Sequence, residues 1–350
     1  DNCQNCGFMQ VRMNGLDGAY SQILLDSRPI FSSLSAVYGI EQIPANMVER
    51  VEIVRGGGSA LFGASAIAGT INIITKEPTR NSGEISHNIM SIGGESTFDN
   101  STAMNASIVS DNQKMGLMIF GQKRHRSAYD KDGDGFSELP VLNSRTLGFR
   151  SFIKTGLYSK VTLEYHNINE FRRGGDALEK EPYQAYITEQ VHSNIDVASL
   201  KFDWTSSNLK HAISAYASGQ LVKRDSYYGG GDPADSITID STPEEIENFN
   251  LRMNSFGRTT DKTYVLGSQY IYKMNKFWFM PADLTAGVEY AEDRLTDIGG
   301  YRTEAIVQKT RTKSMYLQNE WKNDQWGILI GGRLDKHNLV KNSIFSPRAN

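Results

Sequence analysis

The chain has 350 residues, of which 39% are hydrophobic and 22% charged, with a formal net charge of -3. Its mean hydropathy is -0.44, and no apolar run approaches the roughly 18 residues that a membrane-spanning helix requires. A nucleic-acid partner is disfavoured, because surfaces that bind nucleic acid usually show a basic excess. A membrane β-barrel stays within these limits, because only every second residue of its strands faces lipid.

A lone Cys-x-x-Cys pair, Cys3 and Cys6, lies near the start and contains both cysteines of the chain. In a protein of the cell envelope a local disulfide is the commonest state of such a pair, and we predict that the two thiols are bridged. A metal-binding or redox role is the alternative, although no second Cys-x-x-Cys completes a structural zinc site.

Two short strands and a short helix are predicted before residue 48. Alternating apolar residues predict strands over 10–14 and 20–26. The segment 41–47 is predicted as a short helix that Pro44 interrupts early.

A glycine-rich connection joins the next two predicted strands. The first begins at Val48 and stops at the three glycines 56–58, and the second covers 70–75. Consecutive glycines permit positive φ angles, so the chain can double back tightly between the strands. A phosphate-binding loop is the rival interpretation, but no Gly-Lys-Ser or Gly-Lys-Thr follows Gly58.

The stretch from 48 to 76 resembles the C-terminal half of the plug domain of TonB-dependent outer-membrane receptors. The matching segments follow the family's order and are Glu49-Arg50-Val51-Glu52, Arg55-Gly56, Leu61-Phe62-Gly63, 66–69, Ile71-Asn72-Ile73 and Thr75-Lys76. Two positions depart from the family pattern: Gly57 stands where proline often follows, and Ala68 replaces the first glycine of the usual pair. Both substitutes are small and leave the fold prediction unchanged.

The resemblance implies that residues 1–76 form the C-terminal portion of a plug, a small mixed α+β domain. It also implies that plug arginines pair with acidic residues on the barrel wall; the matching residues are Arg12 and Arg55, and we expect partners such as Glu164 or Glu289. The alternative is that both arginines brace the plug's own sheet against Glu49 or Glu52.

After a linker at 77–83, the sequence predicts the N-terminal portion of a transmembrane β-barrel over 84–350. Alternating runs predict strands near 84–93, 97–109, 114–124, 144–155, 160–170, 189–204, 210–224, 259–273, 283–295, 308–322 and 326–337, with another beginning near Ser343. Short turns alternate with long loops, which is typical of outer-membrane barrels with turns in the periplasm and loops outside. The predicted fold class is therefore mainly β: a partial transmembrane antiparallel β-barrel with an N-terminal mixed α+β plug. The resemblance implies a barrel of about 22 strands, of which the first 11 or 12 are present here.

On each predicted strand, apolar residues occupy alternate positions, and these positions form the predicted lipid face. Leu163 and Tyr165 alternate with Thr162 and Glu164, so the charges face the lumen. Aromatic residues gather at the short turns, as expected for a periplasmic girdle, and closure of a soluble core is the alternative; they are Tyr158, Phe277, Trp278, Phe279, Trp321 and Trp326.

An acidic motif in the first long loop predicts a calcium site. Asp130, Asp132 and Asp134 alternate with Lys131, Gly133 and Gly135, which places three carboxylates around a tight turn, and Glu138 is a fourth candidate ligand. The twelfth position of an EF-hand would be a glutamate but is Val141 here. A solvated acidic turn without a metal is the alternative.

Two later loops supply candidate ligand contacts. Arginine and aromatic side chains offer planar hydrogen bonding and large contact areas to a bulky chelate. The candidates are Arg172, Arg173, Tyr183, Tyr186, Tyr227 and Tyr228. Packing of the loops against each other over the barrel mouth is the alternative.

We find no catalytic motif and interpret the chain as a binding protein rather than an enzyme, with no required cofactor besides candidate calcium. The resemblance implies active uptake of a scarce metal chelate across the outer membrane, with an iron siderophore or haem as the first candidate and cobalamin as the second. Its implied partners are the TonB complex, outer-membrane lipid and the chelate, with a surface lipoprotein as a further candidate. A passive porin and a soluble β-rich binding protein are the rivals from other classes.

The chain begins without methionine and ends inside an alternating run. We therefore expect a fragment that lacks the start of the plug, the energy-coupling segment and the far part of the barrel.

Overall fold

A computed structural model describes residues 2–3, 8–9, 11–16, 20–28, 45–55, 66–94, 96–232, 238–300 and 302–349. These residues form three β-sheets, of which the largest has 12 strands. None of the helices in these ranges is both long enough and apolar enough to span a membrane.

The N-terminal part contains two small sheets. Strands β1 (Asn2–Cys3) and β2 (Phe8–Met9) pair antiparallel. In the second sheet, β3 (Ser21–Leu25) runs parallel to β5 (Gly69–Thr75), and β4 (Val48–Arg55) pairs with the other edge of β5 antiparallel. A single 3-10 turn, Ala45–Met47, leads into β4.

The central strand β5 is buried along most of its length, whereas β4 is exposed. Isoleucines at 71 and 73 pack with Leu25 and Met47. Gly69 starts β5 at a φ of 153°, and a Cβ there would lie 2.5 Å from the Val54 carbonyl oxygen. Glycine is therefore required where β5 passes β4.

The 12-stranded sheet is antiparallel throughout, and each strand pairs with its neighbours in sequence. Its strands are β6 (Ser82–Ile92), β7 (Thr97–Val109), β8 (Met115–Arg126), β9 (Val141–Gly156), β10 (Ser159–Gly175), β11 (Ile187–Thr205), β12 (His211–Gly230), β13 (Phe256–Phe277), β14 (Met280–Gly299), β15 (Ile306–Lys322), β16 (Gly327–His337) and β17 (Ile344–Ala349). This up-and-down order confirms the predicted barrel fold.

The connections differ systematically between the two ends of this sheet. At one end β9 meets β10 and β13 meets β14 across two residues each, whereas at the other end the β12–β13 connection covers residues 231–255. Part of that long connection is helical: α1 (Pro243–Met253) follows the N-cap Thr242. The predicted strands 210–224 and 259–273 were therefore too short, because β12 and β13 both extend into the segment between them, where a helix also forms.

The two faces of the sheet differ as predicted. On β10, Leu163 is 44% exposed, whereas Thr162 and Glu164 beside it are 5% and 3% exposed. On β14 and β15, Val288 and Met315 lie opposite each other on the outward face and are 57% and 58% exposed. A row of exposed apolar side chains on one parity is the surface that a barrel presents to lipid.

Aromatic rings stack at the short-turn end. Phe277 and Phe279 each lie 5.9 Å from the ring of Trp321, and Trp278 lies 5.7 Å from it. The indole nitrogen of Trp321 donates to the Phe277 carbonyl at 3.0 Å. Such a cluster of amphipathic rings suits the boundary between lipid and water.

Candidate functional site

A tight turn after β3 places a plug carboxylate beside the end of β5. Asp26 and Ser27 both have positive φ, 48° and 65°, and Leu25 and Arg28 exchange backbone hydrogen bonds across the turn at 3.0 Å. The Asp26 carboxylate then accepts hydrogen bonds from the Thr75 backbone nitrogen at 3.0 Å and from its hydroxyl at 2.8 Å. The turn therefore fixes the carboxylate against the last residue of the plug sheet.

Arg150 on the inner face of β9 reaches this carboxylate from the barrel wall. Its guanidinium donates to Asp26 Oδ2 at 2.5 Å and also to the Thr75 hydroxyl. The same nitrogen donates to Glu164 Oε2 on β10 at 2.9 Å. One buried guanidinium thus joins plug and wall.

Further charged groups surround this contact. Arg28 lies 3.7 Å from Asp26, and Glu77 lies 3.5 Å from Arg150 and 2.9 Å from Lys160. We refer to this set as the plug–wall cluster: Asp26, Arg28, Thr75, Glu77, Arg150, Lys160 and Glu164. It contains three carboxylates and three cations, so the formal charges balance.

Burial and charge act in opposite directions on Asp26. Burial alone raises the pKa of its carboxyl, but the charge of Arg150 and the hydrogen bonds from Arg150 and Thr75 outweigh burial, so the pKa lies below its ordinary value of 3.8. Asp26 is therefore ionised in the docked plug at neutral pH. Within the described part of the chain, Arg28 Nε and Nη1 and Arg150 Nε find no acceptor. Buried donors without partners cost free energy, so the cluster does not maximise stability.

An apolar patch lies beside the ions. Plug residues Leu25, Met47, Ile71 and Ile73 form one buried cluster with inner-wall residues. The wall residues are Met118, Phe120, Ile168, Ile195, Val197 and Val222, which come from β8, β10, β11 and β12. The plug is therefore held by hydrophobic burial as well as by charge.

The predicted latch arginines lie elsewhere. Arg12 and Arg55 are both exposed, and Arg55 stands opposite Gly69 at the end of β4. Of their predicted partners, Glu164 contacts Arg150, and Glu289 contacts Arg333 at 3.0 Å. The role of Arg12 and Arg55 stays a prediction.

Glu49 and Glu52, the candidates for an internal brace, both contact Arg50, at 3.2 Å and 2.9 Å. Sequence reasoning missed Asp26 and Arg150, although Arg150 falls on the lumen parity of a predicted strand.

The four predicted calcium ligands converge. One carboxylate oxygen from each of Asp130, Asp132, Asp134 and Glu138 lies within 4.8 Å of the others. Backbone nitrogens shape the loop: Gly133 and Gly135 donate to the two oxygens of Asp130 at 2.7 Å and 2.9 Å. Four hard oxygen donors at this spacing fit a calcium ion, and calcium binding remains a prediction.

The predicted ligand contacts divide into buried and exposed residues. Arg172 is buried and donates to Glu170 at 2.7 Å, and Arg173 donates to the Ala177 carbonyl. Tyr227 is fully buried, and its hydroxyl donates to the Arg252 carbonyl at 3.1 Å.

The other three predicted ligand contacts are tyrosines that are more accessible to solvent. Tyr186 is 53% exposed, Tyr228 is 37% exposed and Tyr183 is half-buried. The loops also pack together, since Gly231 donates to the Tyr186 carbonyl at 2.9 Å. Cys6 and the side chain of Cys3 lie outside the described residues, so the predicted disulfide is untested.

Two family models match the chain. Residues 1–70 match the TonB-dependent Receptor Plug Domain, and residues 124–350 match the TonB dependent receptor-like, beta-barrel family. The chain belongs to the TonB-dependent receptor family. Members of this family are outer-membrane proteins, and the outward apolar face of the 12-stranded sheet agrees with that location.

Individual relatives of this TonB-dependent receptor chain include siderophore receptors. It is 35% identical over 80 residues to the ferric enterobactin receptor PirA of Pseudomonas aeruginosa. The aligned region covers 20% of this chain and 11% of the relative. A mutant of the ferric enterobactin receptor PfeA of the same species, in complex with enterobactin, matches with a TM-score of 0.77 and 14% identity over 99% of this chain and 55% of that one.

The siderophore receptor PirA of Acinetobacter baumannii matches with a TM-score of 0.75 and 18% identity over 97% of this chain and 52% of that one. The chain therefore spans about half the length of the solved receptors it matches. At this identity the likeness concerns the fold.

Proposed function

We propose that this chain supplies the plug and the first barrel strands of a receptor that takes up a ferric siderophore by TonB-driven transport. The observation that carries the proposal is the plug sheet docked on the inner wall through Arg150 and Asp26. A docked plug blocks free diffusion through the lumen, so substrate passage needs work on the plug. This argues against a passive porin.

The substrate class rests on the relatives, two of which are ferric enterobactin receptors by name. A catecholate siderophore is therefore the first substrate to test, and haem is the next iron source. Cobalamin is the second candidate because the acidic loop brings four carboxylates together, and the family resemblance implies calcium-binding loops in cobalamin receptors. We further propose that the substrate passes chemically unchanged, without enzymatic turnover.

The test is uptake of radiolabelled ferric enterobactin by cells that lack their own siderophore receptors and express the full-length receptor. We expect saturable uptake at nanomolar substrate, about -12 kcal/mol of binding free energy, that disappears when TonB is deleted. Ferric citrate, haem and cobalamin serve as competitors. Uptake that persists without TonB would identify a passive channel, and competition by cobalamin alone would replace the siderophore with the second candidate.

A further inference from the structure

A patch of cations lies on the outward face of β13 to β16. Lys262, Arg294 and Lys309 stand directly opposite one another on three adjacent strands. Four residues further along β15, Lys313 lies opposite Lys336 of β16. We call Lys262, Arg294, Lys309, Arg311, Lys313 and Lys336 the outer basic patch; five of the six are exposed and Lys309 is half-buried.

This arrangement is unfavourable for the sheet itself. Paired strands lie about 4.8 Å apart, and like charges directly opposite each other destabilise a sheet. The patch contains three such pairs: Lys262 with Arg294, Arg294 with Lys309, and Lys313 with Lys336. An anion bound across the strands would remove this repulsion.

One carboxylate organises the patch without neutralising it. Glu292 is 6% exposed and contacts Arg311 Nε at 2.9 Å, Lys309 Nζ at 3.3 Å and Arg294 Nε. The Tyr290 hydroxyl donates to it at 2.6 Å. Both guanidiniums use Nε for this contact, and a guanidinium has further N–H groups with which it can bind phosphate.

The patch adjoins the apolar belt of the barrel. On β15 the outward residues run from Leu317 and Met315 directly to Lys313, Arg311 and Lys309. Val288 and Leu334, which flank Met315 on the neighbouring strands, are 57% and 40% exposed. The cations lie toward the long-loop end, opposite the tryptophan cluster of the short turns. We expect the headgroups of the outer leaflet at this level, because the apolar belt ends here.

We propose that the outer basic patch binds the phosphate groups of a phosphorylated lipid headgroup in the outer leaflet. Arg294 and Arg311, oriented by Glu292, hold one phosphate through their terminal nitrogens. Lys313 and Lys336 hold a second phosphate nearer the apolar belt. The acyl chains of the same lipid lie along Val288, Met315 and Leu334.

The test measures binding of lipid A that carries two phosphates to the full-length receptor in detergent micelles. Arg294→Gln combined with Arg311→Gln should weaken binding about 30-fold, as expected for the loss of two surface cations. The matched control, Lys276→Gln combined with Lys322→Gln, removes two exposed cations at the short-turn end and should bind like the unchanged receptor.

A second variant separates binding from folding. Lys313→Gln combined with Lys336→Gln removes a repulsive pair, so the barrel should be at least as heat-stable while lipid A binding falls to a similar extent. Unchanged binding in both patch variants would overturn the proposal. Inorganic phosphate that competes at the same concentration as lipid A would also overturn it, because the site would then be one for free phosphate.

Discussion

Arg150 connects the two domains through a single side chain. Removing one member of a buried ion pair leaves its partner uncompensated, at a cost of about 3–5 kcal/mol. Here two carboxylates, Asp26 and Glu164, would lose their shared cation. The plug should therefore be more sensitive to loss of Arg150 than to loss of any one of its carboxylate partners.

We predict that Arg150→Met in the full-length receptor weakens plug docking by about 3 kcal/mol. Hydrogen exchange of the backbone amides at Ile71 and Ile73 in β5 measures the effect, since both residues lie in the buried plug cluster. Arg145→Met is the matched control, because Arg145 lies on the same strand but is exposed on the outward face. Equal protection of β5 in both variants would show that Arg150 does not hold the plug.

The contact between Asp26 and Arg150 should be lost only at strongly acidic pH. The pKa of Asp26 is lower in the docked plug than its ordinary value of 3.8, so its stabilising effect is present above pH 3.8 and is lost as the pH falls through the lowered pKa. We expect β5 protection to be constant from pH 7 to about 5 and to decrease below pH 4. Asp26→Asn should remove this acid dependence and lower protection at neutral pH. A release midpoint near pH 6 would point to a group other than Asp26.

The carboxylates of the acidic loop are expected to bind calcium together. Asp132→Asn combined with Asp134→Asn should weaken calcium binding at least tenfold, because two of the four converging carboxylates lose their charge. Isothermal titration of the full-length receptor with calcium provides the measurement. Asp111→Asn, in an exposed short turn, is the control. Absence of calcium binding by the unchanged receptor would make the loop a solvated acidic turn.

At this scale, sequence reasoning succeeded where a local pattern defines the residues. The spacing of Asp130, Asp132, Asp134 and Glu138 within nine residues was sufficient to predict that they converge. Asp26 and Arg150 are separated by 124 positions, so only the docking of the plug brings them together. Tyr227 had the chemistry of a ligand contact, but its burial under α1 depends on packing that its own sequence neighbours do not reveal.

At the scale of elements, the start of helix α1 has a capping pattern that is visible in the sequence. Thr242 accepts from the Glu245 backbone nitrogen at 3.3 Å, and Glu245 accepts in return from the Thr242 backbone nitrogen at 2.7 Å. A threonine followed three residues later by glutamate, with proline at the first helical position, is a recognised start of a helix. The strand boundaries were harder to predict, because alternation fades where strands leave the membrane and enter the loops.

We predict that Thr242→Ala destabilises α1 by about 1 kcal/mol, since one helix N-cap is lost. Glu247→Ala, an exposed change inside the helix, should have little effect and serves as the control. Exchange rates of the amide hydrogens of α1 report the difference. Similar rates in both variants would mean that loop packing, rather than the cap, maintains the helix.

For the whole molecule, most of what could be predicted came from the alternation of apolar and polar residues along the strands. The alternation along β10 and β14 predicted which face contacts lipid, and the unequal lengths of the connections predicted which end of the barrel carries the long loops. The position of the plug in the lumen was implied only by the family resemblance. Its contacts could not be predicted, because they join residues of opposite charge and matching shape that are distant in sequence.

The orientation of the barrel in lipid can be tested directly. A spin label introduced by Met315→Cys should collide with oxygen more often than with a water-soluble nickel chelate, because Met315 lies on the outward apolar row. A label introduced by Glu304→Cys, in the exposed β14–β15 loop, should show the opposite preference. Water-like accessibility at residue 315 in a lipid bilayer would rule out a membrane-facing sheet.

The plug–wall cluster lies next to the covalent link between the domains. Only residues 76–81 separate Thr75 at the end of β5 from Ser82 at the start of β6, a span of at most about 25 Å when extended. Lys160 also holds Glu77 within that link. We therefore expect this corner to stay near β9 and β10 if the rest of the plug moves. Under the proposed transport function, a passage for substrate would then open on the far side of the lumen, away from these two strands.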